Sequence, residues 1–320
     1  MHAKLSTQTR EAVTGGSLKN YGMAVKIKTK HLVASFMAAF LLAATSPAAL
    51  AQGAAWGGTS SSGIPFAPHH FGESPSDFSK VVDGVKAGDV FTGARLTLKT
   101  SASADELLPA AAGRKVLLSI GSPNPCIYWA KGIAEPAEKY AAFINGFIDD
   151  NLAKYKDRLI GLLLLNEPDN PDQGCEPVPP MDLYKAAGII RPQLVAKGFP
   201  KDFPIGFGVA KGPMYFLNTV PADGTINLSA LQYANQRGSL EAFMDTHLEH
   251  AADVGHKVYF TVNAARDGKA ITSELLTICK RATPDRFLMV GYWKWSPQGG
   301  NQAVPLSDLM AVKKALATIR

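Results

Sequence analysis

The sequence predicts a single α/β domain, one closed (β/α)8 barrel. Three observations predict it. Eight strand-like runs alternate with helix-like stretches between residues 63 and 320, the pattern of parallel strands joined by crossover helices. That region is close to the ~250 residues usual for such a barrel. Several runs ("VLLSI", "IGLLLL", "FLMVGYW") are continuously apolar rather than alternating, as strands covered on both faces are. The rival is an open doubly wound sheet, which usually carries a Gly-rich phosphate turn after its first strand; "PFAPHHFGE" is not one.

Residues 1–51 read as a leader. Lys26, Lys28 and Lys30 precede the apolar run "HLVASFMAAFLLAATSPAALA", which ends in Ala49-Leu50-Ala51. A basic segment, a short apolar core and an A-x-A site describe a secretory signal, with Met23 a candidate start. The run is short of the roughly 20 apolar residues of a spanning helix. Cleavage after Ala51 leaves residues 52–320, bound for the periplasm or the exterior and free of the membrane. The leader holds six of the 33 Lys and Arg residues and one of the 27 Asp and Glu residues, so the net charge of +6 falls to +1 without it. Composition therefore argues against nucleic acid or an anionic membrane as a partner. Residues 52–62, "QGAAWGGTSSS", read as a flexible lead-in to the barrel domain at 63–320. No cofactor is expected, and the chain is expected to be a monomer.

The elements follow in order. "GIPFAP" is the first run and leads into His69-His70. "SPSDFSKVVDGVKAG", with a Ser/Asp start, helical spacing of apolar residues and a closing Gly, predicts a helix over 74–88. "VFTGARLTLKT" is the second strand, "SADELLPAAAG" a short helix and "RKVLLSIGS" the third strand. "EPAEKYAAFINGFIDDNLAKYKD" predicts one long helix, with Tyr140, Phe143, Ile144, Phe147, Ile148 and Leu152 on one stripe. "LIGLLLL" is the fourth strand, and the helix "MDLYKAAGIIRPQLVAKG" follows. The fifth strand is "FPIGFGVA", whose Gly206–Gly208 stretch is too short to cradle phosphate and suits a strand beside a crowded barrel wall. After an irregular link come strand six "INLSALQYA", helix "SLEAFMDTHLEHAADVG", strand seven "HKVYFTVNA", helix "ITSELLTICKRA", strand eight "RFLMVGYWKW" and helix "PLSDLMAVKKALATI".

Three cysteines occur. Cys126 and Cys175 both sit in loops after strand-like runs, and an exported chain can keep a bridge between them. Cys279, inside a helical pattern, is expected as a buried free thiol. No C-x-x-C pair suggests zinc. His247 and His250, in "HLEH", lack the H-E-x-x-H spacing and read as a solvated helix face. No metal site is expected.

In such a barrel the carboxyl ends of the strands carry the active site. On that geometry Leu162 to Leu165 fill the wall, Asn166 and Glu167 emerge at the rim, and Pro168 stops the strand. Other strand ends offer His69 and His70, Arg95, Gln232 and Tyr233, Asn263, and Trp293 with Trp295. Amides, imidazoles and hydroxyls can each hydrogen-bond sugar hydroxyls, and an indole can stack on a pyranose face. Trp293 and Trp295 point one way and Tyr292 the other. The set suits a carbohydrate.

Asn166-Glu167-Pro168 closing the fourth strand resembles the clan A glycoside hydrolases. The resemblance implies that Glu167 is the general acid/base and that Asn166 holds the sugar 2-hydroxyl. Arg95 on strand two and Trp293 or Trp295 on strand eight also stand where the clan keeps an Arg and a Trp. The departure is at strand seven, where the clan places its nucleophilic Glu and this chain has Asn263. Glycoside hydrolysis normally uses two carboxylates, about 5 Å apart for retention and about 6.5–9.5 Å for inversion. The candidates for the second are Glu73, Asp169, Asp172, Glu176 and Asp267, with Glu73 first because it follows His69-His70. Without a second carboxylate, the barrel binds glycan without cutting it.

"KVLLSIGS" on strand three also resembles the family 18 chitinase-type barrels, where one Glu on strand four works with the substrate's N-acetyl group. Glu167, Gln232 or Tyr233, and Trp293 or Trp295 match that family's positions. Its auxiliary Asp residues fall on Leu165, Leu163 and Ile160 here.

Overall fold

In the computed structural model the described residues are 63–320, except 101–102, 122–123, 172–173, 235–236, 264–267 and 294–303. The leader, the lead-in and Trp295 lie outside them. Seven strands form one parallel sheet in sequential order: Gly93–Leu98, Lys115–Ile120, Leu159–Asn166, Ile205–Gly208, Leu228–Tyr233, Lys257–Asn263 and Phe287–Trp293. These are the second to eighth strands of the barrel.

The first run, residues 64–69, closes the ring. On one side Ala67 N–H donates to Val290 (3.1 Å) and His69 N–H to Tyr292 (2.9 Å), while Val290 N–H donates to Pro65 (3.0 Å). On the other side Gly93 N–H donates to the Phe66 carbonyl at 3.1 Å, and Phe66 N–H to Thr92 Oγ1 at 3.0 Å. Pro65 and Pro68 have no N–H to give, so the ladder is broken and only the Phe66–Val290 bridge is regular. Gly291 allows this approach: a Cβ there would lie 2.0 Å from the Ala67 carbonyl oxygen. The crowded wall expected at the fifth strand is also present, since a Cβ on Gly206 would lie 1.7 Å from the Leu228 carbonyl oxygen.

Helices Ser103–Ala110, Pro136–Asn145, Pro180–Ala196, Leu240–Asp253, Gly268–Cys279 and Leu306–Ala317 follow the strands, and a 3-10 turn, Gly212–Tyr215, fills the irregular link. Leu162 to Leu165 are at most 3 % exposed. Full burial of such a side chain is worth about 1.5–3 kcal/mol, so the apolar run anchors the rim residues that follow it.

Two predicted elements differ. Residues 74–88 are not one helix but a 3-10 turn (Pro75–Ser79), a hairpin pairing Val81–Val82 with Val85–Lys86, and a four-residue helix (Ala87–Val90). Asp83 and Gly84 both take positive φ, +50° and +78°, which is the two-residue turn that Asp-Gly favours. The long helix expected after residue 135 stops at Asn145 and restarts at Asp150, where the Asp149 carboxylate caps it by accepting from Leu152 N–H. The stripe is still covered: Tyr140, Ile144, Phe147, Ile148 and Leu152 are all buried.

Cys126 and Cys175 form the expected bridge, with Cα atoms 5.3 Å apart, and Cys279 is a buried free thiol. His247 and His250 do not form a solvated face. Both Nδ1 atoms are buried without a partner among the described residues, because the His247 ring packs on Phe243 at 4.1 Å and burial lowers its pKa to about 4. Among the described residues no helix is long and apolar enough to cross a membrane.

Candidate active site

The fourth strand ends with Asn166 paired to Gly208 of the fifth. Glu167 then turns to φ +48°, a conformation that is uncommon and strained for a side chain with a Cβ. Three contacts hold it. Its N–H donates to the Gly208 carbonyl, its carbonyl accepts from Asn170 N–H (3.1 Å), and its Oε2 accepts from Asn170 Nδ2 (3.0 Å).

Asp169, expected among the second carboxylates, has another task. It is 3 % exposed, and its two oxygens accept from the N–H groups of Ala210 and Lys211, both at 2.8 Å. It clamps the loop after strand five to the loop after strand four, so its acceptor oxygens are spoken for.

Glu167 and Asn166 line a cleft of about 460 Å3, measured out to open solvent, together with His69, Arg95, Gln232 and Tyr259. Arg237 and Thr261 also face it. Five sequence-predicted residues from the first, second, fourth and sixth barrel positions, His69, Arg95, Asn166, Glu167 and Gln232, therefore meet in one place.

The others are placed differently. Tyr233 is buried on the far side of its strand, against Phe243, and its hydroxyl donates to the Gly238 carbonyl; neighbouring residues on a strand face opposite ways, so Gln232 takes the cleft. Glu73 is not among the cleft-lining residues: His70 Nδ1 meets its Oε1 at 2.7 Å, and the His70 ring stacks on His69 at 4.2 Å. Asn263 does stand at the end of strand seven, paired with Trp293. Asn263 continues the alternate positions of Tyr259 and Thr261 on its strand, but neither it nor Trp293 is among the cleft-lining residues.

The charges follow from burial. Burial, then the charges of Arg95 and His70, push the His69 pKa far down, so the ring is neutral. Burial alone would raise the Glu73 carboxyl, but its hydrogen bond to His70, the His70 charge, a hydrogen bond to Thr97 and the Arg95 charge together lower it. Burial lowers the Arg95 pKa against the opposing influence of Tyr259 and Glu73. Burial raises the Tyr259 hydroxyl, with Arg95 opposing, so that phenol stays a neutral donor.

Tyr259, Thr261 and Arg237 were not singled out from sequence. A signal existed for the first two: they share the parity of Asn263 in "KVYFTVN". Arg237 comes from the loop after strand six, where spacing carries no such information. Among the described residues no cluster of three or more His, Cys, Asp and Glu side chains could hold a metal ion.

The positions of the family 18 auxiliary Asp residues hold no carboxylate, and Leu163 and Leu165 there are buried apolar wall. No protein-family model matches the chain, and comparison with curated proteins gives no match. Solved structures do resemble it. Cel5A from Thermotoga maritima, a mutant form in complex with cellobiose substrate, is 18% identical with a TM-score of 0.51, covering 80% of this chain and 96% of that one. The endo-1,4-beta-mannanase from Rhizomucor miehei is 12% identical with a TM-score of 0.52, covering 80% and 94%. A GH5-4 broad specificity endoglucanase from Clostridum cellulovorans is 12% identical with a TM-score of 0.53, again covering 80% and 94%. At these identities the likeness is one of fold: the chain is a (β/α)8 barrel of the kind these glycoside hydrolases have.

Proposed function

We propose that the chain is an exported, clan A-like glycoside hydrolase that cleaves an oligo- or polysaccharide with Glu167 as general acid/base. One observation carries the reading. Glu167 is held in a strained turn at the carboxyl end of the fourth barrel strand and lines a cleft with Asn166, Arg95 and Gln232. Polar groups converging at that end of a barrel are where this fold keeps its chemistry.

In the proposed reaction Glu167 gives its proton to the glycosidic oxygen as positive charge develops on the sugar ring, and Asn166 bonds a neighbouring hydroxyl. Glu73, whose charge is felt at Arg95, is the proposed second carboxylate. The leader supports export, and the Cys126–Cys175 bridge suits an oxidising compartment.

A second reading is favoured by Asn263, which cannot form a glycosyl ester: the barrel captures glycan without cutting it. Incubation with a panel of bacterial and plant polysaccharides separates the two. New reducing ends that disappear in Glu167→Gln support hydrolysis. Binding with no new ends supports capture, and neither binding nor release removes both.

A further inference from the structure

Arg95 places a buried cation at this cleft. It stands in the middle of the second strand, inside the barrel, 4 % exposed, and it lines the cleft. Its Nε and Nη1 have no hydrogen-bond partner among the described residues, and neither does the hydroxyl of Tyr259, which lines the same cleft.

The surroundings do not balance this cation. Arg237, a second guanidinium at the cleft, spends Nη1 on the carbonyls of Ala210 (3.1 Å) and Gln232 (3.3 Å). His69 is neutral. Glu73, the one carboxylate whose charge Arg95 feels, is bound to His70. Among the lining residues Glu167 alone is acidic, and its Oε2 is engaged by Asn170. The end of strand seven, where the clan it resembles places its nucleophilic Glu, holds Asn263. Among the described lining residues two guanidiniums thus meet one carboxylate. A buried charge without a counter-charge is costly, and a ligand that supplies one is favoured by the low local dielectric.

We propose that the cleft takes an acidic sugar, a uronic acid unit whose carboxylate pairs with Arg95 and accepts from the Tyr259 hydroxyl, while its ring hydroxyls meet Asn166 and Gln232. The inference rests on the carbohydrate reading above and names its substrate class. A planar carboxylate matches a planar guanidinium.

The test is calorimetric titration of the full chain with tetramers of galacturonate, glucuronate and mannuronate. Each is paired with the neutral tetramer made by reducing its carboxyls to alcohols. At least one acidic tetramer should bind tenfold or more tightly than its reduced twin. That preference should vanish in Arg95→Met and shrink several-fold in Tyr259→Phe, which removes one oxygen and tests the site independently of how Arg95→Met folds. Equal binding of acid and reduced twin overturns the inference and leaves the carbohydrate reading standing. Binding of neither overturns both. A preference that persists in Arg95→Met overturns the assignment to Arg95. A sulfated, uronate-free oligosaccharide that binds as tightly as the acid overturns the carboxylate.

Discussion

The backbone N–H of Glu167 donates to the carbonyl oxygen of Gly208, tying the end of the fourth strand to the end of the fifth. The side chain at the barrel mouth is therefore aimed by sheet backbone, not by a loose loop. Glu167→Gln keeps that backbone and the side-chain shape but removes the proton donor. Loss of a general acid reduces turnover by about 10²–10⁴-fold, so reducing-end release on a cleaved glycan should fall by that factor while the melting temperature stays put. Unchanged turnover would show that the proton comes from elsewhere.

Arg95 lowers the stability of the ligand-free barrel. A buried donor without a partner costs about 1–3 kcal/mol, and a charged one more. Arg95→Met should raise the melting temperature in thermal denaturation while weakening glycan binding. A lowered melting temperature would mean that Arg95 is a structural member of the barrel.

Two glycines should respond in opposite directions. In Gly206→Ala the new Cβ would collide with the Leu228 carbonyl at 1.7 Å, and the sixth strand would have to move, so the variant should be strongly destabilised or insoluble. In Gly188→Ala, within the helix Pro180–Ala196, the nearest atom is 3.8 Å away; helix propensity then predicts a gain of up to about 1 kcal/mol. Denaturant midpoints of the two variants decide the matter.

Reduction should weaken the fold. Cys126 and Cys175 are 49 residues apart in sequence, and cross-linking a loop of that size stabilises by about 2–4 kcal/mol. The double Ser variant, or the wild type in reductant, should unfold at lower denaturant than the oxidised protein.

His256 makes stability depend on pH. It is buried, its Nδ1 lies 2.9 Å from Ser229 Oγ, and burial lowers its pKa from 6.5 to about 4. The unfolded chain therefore takes up the proton first, and stability is full above about pH 6.5 and falls as pH drops toward 4, by on the order of 3 kcal/mol. Melting curves should show that slope, and His256→Gln should reduce it, leaving the share carried by His247 and His69, whose pKa values burial also lowers. A slope of the opposite sign would contradict the burial.

Much of this was legible in the sequence. The eight runs, their order and the rim position of Glu167 follow from apolar continuity and from Pro168, which are local properties. The hairpin at Val81–Lys86 was also written locally, in Asp83-Gly84, but apolar residues at helical spacing masked it. The break after Asn145 left the buried stripe intact, so periodicity could not reveal it.

What the sequence by itself determined is a barrel whose fourth strand delivers Glu167 to the carboxyl-end rim, because strand type and strand ends are set by residues adjacent in the chain. What only the tertiary structure decided is the company Glu167 keeps. It put Tyr259 and Arg237 in the cleft and Tyr233 behind its strand. It turned Asp169 into a clamp, bound Glu73 to His70 and left the Nε and Nη1 of buried Arg95 without a partner among the described residues. Those outcomes depend on register and on which side chains of distant strands share one enclosed volume, and no local pattern of residues encodes either.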